Sequence, residues 1–202
     1  MIENLGNLAV LVVDIQNDFC HLDGKFAQAS LDLTAIQAMV PRLKTFIDEV
    51  RPYDVPIIYT RQIESVQVSP ANLQRQFATS RMFPVCAPDS WGSELYELQP
   101  QQNEHVLDKY TYDPFSNPEL ERVLQEKNVK TLIVAGVNTP LCIDTTVRSG
   151  FSRGYNILVP RDLVAMSASL PGNQQASLEL FHRFFGTVTD ARTIVDYLKK
   201  NK

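Results

Sequence analysis

Short continuous apolar runs alternate with amphipathic stretches along most of the 202-residue chain. Continuous runs are typical of strands buried on both faces of a sheet, whereas apolar positions three and four residues apart are typical of helices with one buried face. The runs predict strands at residues 8–13, 55–60, 105–107, 131–137, 156–160 and 187–189. The amphipathic stretches predict helices at residues 31–50, 71–78, 118 to about 128, 140 to about 153, 174–185 and 191–198, with one or two helical turns within 91–98.

Strands that alternate with helices predict an α/β fold, because right-handed crossovers then produce a mostly parallel sheet with helices on both faces. We therefore expect a three-layer αβα sandwich with about six strands. A hydrophobic content of 44% allows one substantial core. No repeat or linker interrupts the chain, so we expect residues 1–202 to form a single domain.

Charge and cysteine content narrow the class of partner. The net charge of −4 and the lack of a run of Lys or Arg argue against a nucleic-acid-binding surface. The apolar run at residues 8–13 is too short for a signal or membrane helix, so we expect no membrane partner. Cys20, Cys86 and Cys142 form neither a disulfide framework nor a metal-binding pair, which favours a cytoplasmic location.

The segment around Cys142 has the pattern of a buried strand, a tight loop and the first turn of a helix. Thr139 is predicted as the N-cap and Pro140 as the first helical residue. Cys142 would then be the third helical residue, among N–H groups without intrahelical partners. The helix dipole lowers the pKa of a thiol there, which suits a nucleophile. A lone cysteine after a strand is also commonly a small buried hydrophobe.

Three reactive side chains follow predicted parallel strands, and ligands bind at this edge of such sheets. Asp14 follows the first strand, Lys109 the third and Cys142 the central one. Lys109 would stabilise a thiolate by its charge, and Asp14 would accept the thiol proton. The N–H groups of Cys142 and Asn138 are candidates for the two donors that a tetrahedral oxyanion needs. The presence of these three reactive residues at one edge of the sheet predicts a nucleophilic site.

Each of these residues also has a simpler interpretation. Asp14 begins a cluster of polar residues that suits a turn, and Lys109 would be a solvated charge at a strand end. A papain-like Cys–His pair would require His21, His105 or His182, which we expect to be structural or solvated.

Three stretches of the chain resemble the isochorismatase-like cysteine hydrolase superfamily: VVDIQNDF at residues 12–19, DKYTYDPF at 108–115 and AGVNTPLCIDTT at 135–146. The resemblance implies a triad in which Asp14 is the base, Lys109 supports the thiolate and the transition state, and Cys142 is the nucleophile. It also implies a cis peptide bond at Val137–Asn138 and an oxyanion hole formed by the N–H groups of Asn138 and Cys142.

Two differences from known members of that superfamily indicate which of its branches the chain resembles. Nicotinamidases carry a DxH metal motif after the second strand, which RQIE at residues 61–64 does not supply, so we expect no metal or other cofactor. True isochorismatases lack the nucleophilic cysteine. The resemblance therefore implies a metal-independent cysteine amidohydrolase that cleaves a C–N bond in a small amide, ureide or N-carbamoyl substrate through a thioester. The chain is similar to the branch of N-carbamoylsarcosine amidase, biuret hydrolase and ureidoacrylate amidohydrolase.

Six side chains are candidates for binding this substrate: Phe19, Arg61, Gln62, Trp91, Tyr112 and Phe115. Arg61 would hold a substrate carboxylate or form a surface ion pair. Trp91 and Phe115 are equally plausible as core or interface aromatics. Gln62 and Asn138 have amide groups suited to a urea-like molecule. The resemblance further implies a homodimer or homotetramer.

Three alternative functions stay open at this stage. One is a nicotinamidase-like amidase with an unusual or absent metal, and another is a non-catalytic protein that binds a small molecule on the same fold. The third is a redox sensor, because a cysteine with a low pKa oxidises readily. Cys20 or Cys86 would then act as the resolving partner of Cys142.

Overall fold

Parallel strands form the central sheet in the computed structural model of the protein, which describes residues 2–79 and 84–201. Seven strands are present there: β1 (Asn7–Val13), β2 (Ile57–Gln62), β3 (His105–Lys109), β4 (Val129–Val137), β5 (Asn156–Pro160), β6 (Val164–Ala165) and β7 (Thr187–Thr189). Their order is β3-β2-β1-β4-β5-β7, and β6 pairs with β4. Every strand pair is parallel, which confirms the predicted sheet.

Eight α-helices lie between or after the strands within the same described residues. They are α1 (Asn17–Cys20), α2 (Lys25–Gln28), α3 (Thr34–Val50), α4 (Ala71–Thr79), α5 (Pro118–Glu126), α6 (Asp144–Ser152), α7 (Gln174–Leu180) and α8 (Ala191–Lys200). Helices α3 and α8 pack on one face of the sheet, and α5 and α6 pack on the other. The three-layer αβα sandwich is therefore confirmed. None of these helices is long and apolar enough to cross a membrane.

The alternation of side chains along β1 divides the core into two apolar clusters. Val10 and Val12 face the cluster that contains α3 and α8, whereas Leu11 and Val13 face the cluster that contains α5 and α6. All four side chains are fully buried, and each such burial contributes about 1.5–3 kcal/mol to folding. This explains why the run has no polar position until the strand ends.

Several element boundaries differ from the predicted ones. Helix α3 begins at Thr34 rather than residue 31, because the carboxylate of Asp32 accepts a hydrogen bond from the Thr34 N–H at 2.9 Å. Pro41 lies within α3 and does not end it. Strand β2 begins two residues after residue 55, beyond Pro56, whose carbonyl accepts from Val10 N–H.

The stretch at residues 91–98 is helical only at Trp91–Ser93. Beyond it the backbone is drawn into an antiparallel bridge between Leu95 and Gln16, supported by a hydrogen bond from Tyr96 N–H to Ile15 carbonyl at 2.8 Å. The short strand β6 was not predicted, because two residues are too few to show a period. It pairs with the end of β4.

Candidate active site

The ends of three strands bring Asp14, Lys109 and Cys142 together, because β1 lies between β2 and β4 and β3 pairs with β2. Lys109 Nζ lies 2.8 Å from Asp14 Oδ2 and 3.6 Å from Cys142 Sγ. The side chains of Lys109 and Asp14 are each 1% exposed. A carboxylate, an ammonium and a thiol therefore share one buried volume at the edge of the sheet.

Lys109 is surrounded by more acceptors than an ammonium has hydrogens. Besides Asp14 and Cys142, its Nζ donates to Gln62 Oε1 at 2.5 Å and to the Thr111 carbonyl at 3.2 Å. An ammonium offers three donors, so the sulfur, at the longest distance, competes with three oxygens for them. The position of Nζ relative to Sγ is thus set by oxygen partners.

Asp14 is held in a fixed orientation at the end of β1. Its φ of 56° places it in the left-handed region, which a non-glycine residue adopts only when its surroundings require it. Its N–H donates to the Thr60 carbonyl at 3.1 Å, and its Oδ1 accepts from Thr60 Oγ1 at 2.9 Å. Oδ2 faces Lys109 and has no other hydrogen-bond partner among the described residues. That oxygen can therefore accept a proton from Cys142.

The backbones of β1 and β4 approach each other unusually closely next to the site. A Cβ atom on Gly136 would lie 2.1 Å from the carbonyl oxygen of Val13, and Gly136 has a φ of +123°. Only glycine permits this approach of β4 to the residue before Asp14. The Val137–Asn138 peptide bond that follows is cis, as the resemblance implies.

Cys142 lies in a π-helical turn, Thr139–Ile143, that leads into α6. The N-cap is Asn138, not Thr139 as predicted, and Cys142 is the fourth residue of the turn, not the third. The turn closes on Asn138, whose carbonyl accepts from Leu141 N–H at 3.0 Å and from Ile143 N–H at 3.3 Å. Thr139 Oγ1 is buried without a hydrogen-bond partner among the described residues.

The predicted lowering of the Cys142 pKa is wrong. Burial raises the pKa of this thiol well above its ordinary value; Lys109 opposes the shift, but Asp14 and Glu64 add to it. Burial lowers the pKa of Lys109, yet the interactions of Lys109 with Asp14 and Cys142 outweigh that effect and raise the pKa overall. The resting site therefore holds a protonated thiol beside an ion pair.

Glu64 and Gln62 extend the polar cluster away from Lys109. Gln62 is 1% exposed, and its Nε2 donates to Glu64 Oε1 at 3.1 Å. Glu64 Oε2 accepts from Val85 N–H at 3.2 Å. Burial raises the pKa of Glu64, with these hydrogen bonds and Lys109 opposing the shift. Sequence reasoning missed Glu64 and Thr60, although both lie two residues from Gln62 and alternation along a strand suggests a common face.

Arg61 is not brought to the triad. Its guanidinium forms a two-point ion pair with Asp108, with N···O distances of 2.7 and 3.0 Å, and both side chains are about one-third exposed. Because side chains alternate between the two faces of the sheet along β2 and β3, this pair lies on the face opposite to that of Gln62 and Lys109. Of the two interpretations of Arg61, the surface ion pair is therefore the one that the structure supports.

The four aromatic candidates lie in different environments. Phe19 packs edge-on against Phe26 in the cluster of α3 and α8. Phe115 is 6% exposed in the opposite cluster and stacks on Tyr155, which makes it a core aromatic. Trp91 is 47% exposed and packs edge-on against His21. No described contact joins the ring of Phe19 or of Trp91 to Cys142.

Tyr112 lies close to the reactive residues. Burial raises the pKa of its hydroxyl, and the charges of Glu64 and Cys142 raise it further, whereas Lys109 lowers it. Of the predicted binding residues, Gln62 and Tyr112 are thus the ones with a described interaction with the triad.

The other cysteines lie away from Cys142. Cys20 and Cys86 belong to the apolar cluster of α3 and α8, whereas Cys142 belongs to the cluster on the opposite face of the sheet. All three are free thiols. Within residues 2–79 and 84–201, no group of three or more His, Cys, Asp or Glu side chains is placed to share a metal ion.

Residues 8–193 match the isochorismatase domain. The chain belongs to the isochorismatase family. Ureidoacrylate amidohydrolase RutB of Cronobacter sakazakii is 28% identical over 204 residues, which cover 94% of this chain and 88% of the relative. This confirms the family that the three sequence motifs indicated.

Solved structures of other proteins share the fold. A cysteine hydrolase from Pseudomonas syringae pv. phaseolicola is 25% identical with a TM-score of 0.85, covering 99% of this chain and 96% of that one. N-carbamoylsarcosine amidase from Thermoplasma acidophilum is 22% identical with a TM-score of 0.72, covering 92% and 96%. At that identity the second likeness concerns the fold alone.

Proposed function

We propose that this isochorismatase-family protein is a cysteine amidohydrolase that cleaves the C–N bond of a small ureide, N-carbamoyl compound or amide through a thioester. The observation that carries the proposal is the buried contact of Cys142 Sγ with Lys109 Nζ at 3.6 Å, while the same Nζ lies 2.8 Å from Asp14 Oδ2. A nucleophile, a cation and a base in mutual reach are the groups that acyl transfer requires.

In the first half-reaction Asp14 accepts the thiol proton while Cys142 Sγ bonds to the substrate carbonyl carbon and the carbonyl electrons move onto oxygen. The N–H groups of Asn138 and Cys142 are the proposed donors to that oxyanion. Lys109 remains protonated and stabilises the sulfur as it loses its proton. When the C–N bond breaks, the nitrogen takes the proton from Asp14 and leaves as ammonia or an amine.

In the second half-reaction Asp14 accepts a proton from water while the hydroxide adds to the thioester carbonyl. The C–S bond then breaks, and Cys142 recovers the proton as the acid leaves. The protonated resting thiol agrees with this cycle, because a base must act on it in every turnover. Each proton taken up by Asp14 is returned within the same half-reaction.

Two buried oxygen atoms support a substrate rich in N–H groups. Asn138 Oδ1 and Thr139 Oγ1 lack hydrogen-bond partners in the described part of the chain; Asn138 caps the turn that carries Cys142, and Thr139 is its first residue. A buried acceptor without a donor is unfavourable, and a ureide has more N–H groups than a simple amide to satisfy it. The likeness to ureidoacrylate amidohydrolase points to the same class.

The wider setting of this activity is also a proposal. The sheet and its two clusters extend over the described chain, which supports one hydrolase domain over residues 1–202. The free, buried cysteines support a cytoplasmic location. Phe151, Leu180 and Phe184 are each more than 40% exposed, which supports a homodimer or homotetramer.

The test is ammonia release from biuret, N-carbamoyl amino acids, ureidoacrylate-like compounds, nicotinamide and aliphatic amides, with and without a chelator. We expect the protein to release ammonia from a ureide, and we expect the chelator not to change the rate of that release. The Cys142→Ala variant should lose at least about a thousandfold in kcat, as expected when a nucleophile is removed. Cys20→Ala, at a buried thiol in the cluster of α3 and α8, is the matched control.

Three results would contradict the proposal. Turnover retained by Cys142→Ala would exclude the covalent mechanism. Chelator-sensitive release from nicotinamide would favour the nicotinamidase-like alternative. Silence of the folded wild-type protein toward every compound, together with tight binding of one of them, would favour the non-catalytic binding protein.

A further inference from the structure

Glu64 has no place in the proton transfers of the proposed mechanism, yet it is buried next to the residues that perform them. It is 5% exposed, and each of its carboxylate oxygens accepts one hydrogen bond. Oε1 accepts from the side-chain amide of Gln62 at 3.1 Å, and Oε2 accepts from the backbone N–H of Val85 at 3.2 Å. Its nearest functional neighbour is thus Gln62 and not the sulfur.

Gln62 connects Glu64 to Lys109 through the two ends of one amide group. Its Nε2 donates to Glu64, and its Oε1 accepts from Lys109 Nζ at 2.5 Å. An amide turned over by 180° would direct its NH₂ group at the ammonium, and two donors repel each other. A carboxylate accepts hydrogen bonds and cannot donate them when ionised, so Glu64 permits one orientation of the amide.

The backbone of Gln62 is fixed independently of its side chain. Gln16 Oε1 accepts from the Gln62 N–H at 2.8 Å, and Gln16 Nε2 donates to the Gln62 carbonyl at 3.0 Å. The backbone contacts leave the orientation of the Gln62 side-chain amide undetermined. The hydrogen bond to Glu64 fixes that orientation.

We propose that Glu64 is a positioning residue that holds Lys109 beside Cys142 by fixing the orientation of the Gln62 amide. The proposal deepens the proposed function, on which its catalytic consequence rests. It assigns the contact between Lys109 Nζ and Cys142 Sγ to a polar chain that begins at Val85 N–H and passes through Glu64 and Gln62.

A purely electrostatic role for Glu64 makes the opposite prediction. Its negative charge raises the pKa of the Cys142 thiol, so removing the charge alone would make thiolate formation easier. Positioning predicts that removing the carboxylate makes thiolate formation harder, because Lys109 moves. The sign of the effect on thiol reactivity therefore separates the two roles.

Glu64→Gln is the decisive variant, because it keeps the shape and removes the second acceptor. Its amide has one oxygen for two donors, and the backbone N–H of Val85 cannot turn away. Whichever amide turns, two donors then face each other between Val85 and Lys109, so Gln62 no longer holds Lys109 in one fixed position. We expect kcat for the best ureide to fall about tenfold, the effect of one lost hydrogen bond to a charged group, with KM changed less than about twofold.

The second measurement is the rate at which iodoacetamide alkylates Cys142 at pH 9, followed by peptide mass. The groups that face the thiol and can change its reactivity are Asp14, Lys109, Glu64 and Tyr112. We expect Glu64→Gln to slow alkylation. Glu94→Gln, at an exposed carboxylate outside the cluster, should change neither alkylation nor kcat.

A double-mutant cycle with Gln62→Met tests whether Glu64 acts through Gln62. Methionine removes the amide, so Glu64→Gln should have no further effect on kcat in that background. Additive losses, faster alkylation of Glu64→Gln, or an unchanged kcat would each overturn the proposal. Thermal unfolding checks that both variants fold; if Gln62→Met does not, the alkylation rate of Glu64→Gln still decides.

The alkylation rates also separate this proposal from the proposed function. If the wild-type protein cleaves no amide but Glu64→Gln still slows alkylation, the proposed function fails and the positioning role stands. If ureides are cleaved and Glu64→Gln speeds alkylation, the proposed function stands and the positioning role fails.

Discussion

Lys109 stabilises the site because its positive charge is balanced by the nearby carboxylate of Asp14. Its ammonium is buried with Asp14, and a buried ion pair is sensitive to the loss of one partner because the other charge is then left uncompensated. The pKa of Lys109 is raised in the folded protein. Its contribution to stability is thus fully present below the unfolded-state pKa of about 10.4 and is lost as pH rises through the folded-state value.

Lys109→Met tests this balance, because it removes the charge and keeps most of the volume. We expect the free energy of unfolding at pH 7 to fall by about 3–5 kcal/mol, since Asp14 is left buried without its ion-pair partner. The difference from wild type should stay constant up to about pH 10 and narrow above it. Denaturant unfolding across pH 7–11 measures both.

Arg61→Met is the matched control for Lys109→Met. The pair of Arg61 with Asp108 is one-third exposed, so its loss should reduce stability by less than about 1 kcal/mol. Its kcat/KM should equal that of wild type. Equal losses of stability in the two variants would show that Lys109 and Asp14 are not paired as described.

The triad was predictable at the residue scale, because polar residues at three strand ends must meet at one edge of a parallel sheet. Glu64 was not, since its role depends on the register that sets Gln62 opposite Lys109. The pKa of Cys142 was also not predictable. Burial and the nearby carboxylates decide its direction, and neither can be read from one segment.

Contact between elements at the site depends on the close approach of β4 to β1. The two strands pair from Asn7 to Val13, and Gly136 is the partner of Val13 at the end of that register. Asp14 follows Val13 directly. The position of the base is therefore coupled to the glycine on the neighbouring strand.

Gly136→Ala should disturb both stability and activity. The added Cβ meets the Val13 carbonyl and must adopt a positive φ, and together these effects should lower the free energy of unfolding by about 3–5 kcal/mol. Gly154→Ala is the control, because Gly154 also has a positive φ but has no atom within 4 Å of the added Cβ. It should lose about 1–2 kcal/mol and keep its kcat. Equal losses would contradict the close approach.

The elements themselves were mostly predictable, because their apolar periods are clear. The turn that carries Cys142 was predicted only as a helix start. Its π-helical form and its cap at Asn138 follow from how the chain leaves β4, and Thr139 and Pro140 alone suggest an ordinary N-terminus. Short segments such as β6 have too few residues to be read from a pattern.

At the scale of the whole molecule, the strand order assigns different surroundings to the three reactive residues. Asp14 and Cys142 follow the central strands β1 and β4, whereas Lys109 ends the edge strand β3. Lys109 reaches the others across β2, and Gln62 at the end of β2 lies between. Alternating elements predict a parallel sheet, but the order of its strands is a tertiary property. The family membership of the chain agrees with the whole arrangement.

The central claim is that Cys142 carries the acyl group during turnover. The most direct test is an acid quench of the wild-type protein during steady-state cleavage of its best ureide, followed by peptide mass analysis. We predict an added mass equal to the acyl fragment on the peptide that contains Cys142, and its absence from Cys142→Ala. Turnover by wild type without any adduct, together with turnover by Cys142→Ala, would contradict the account.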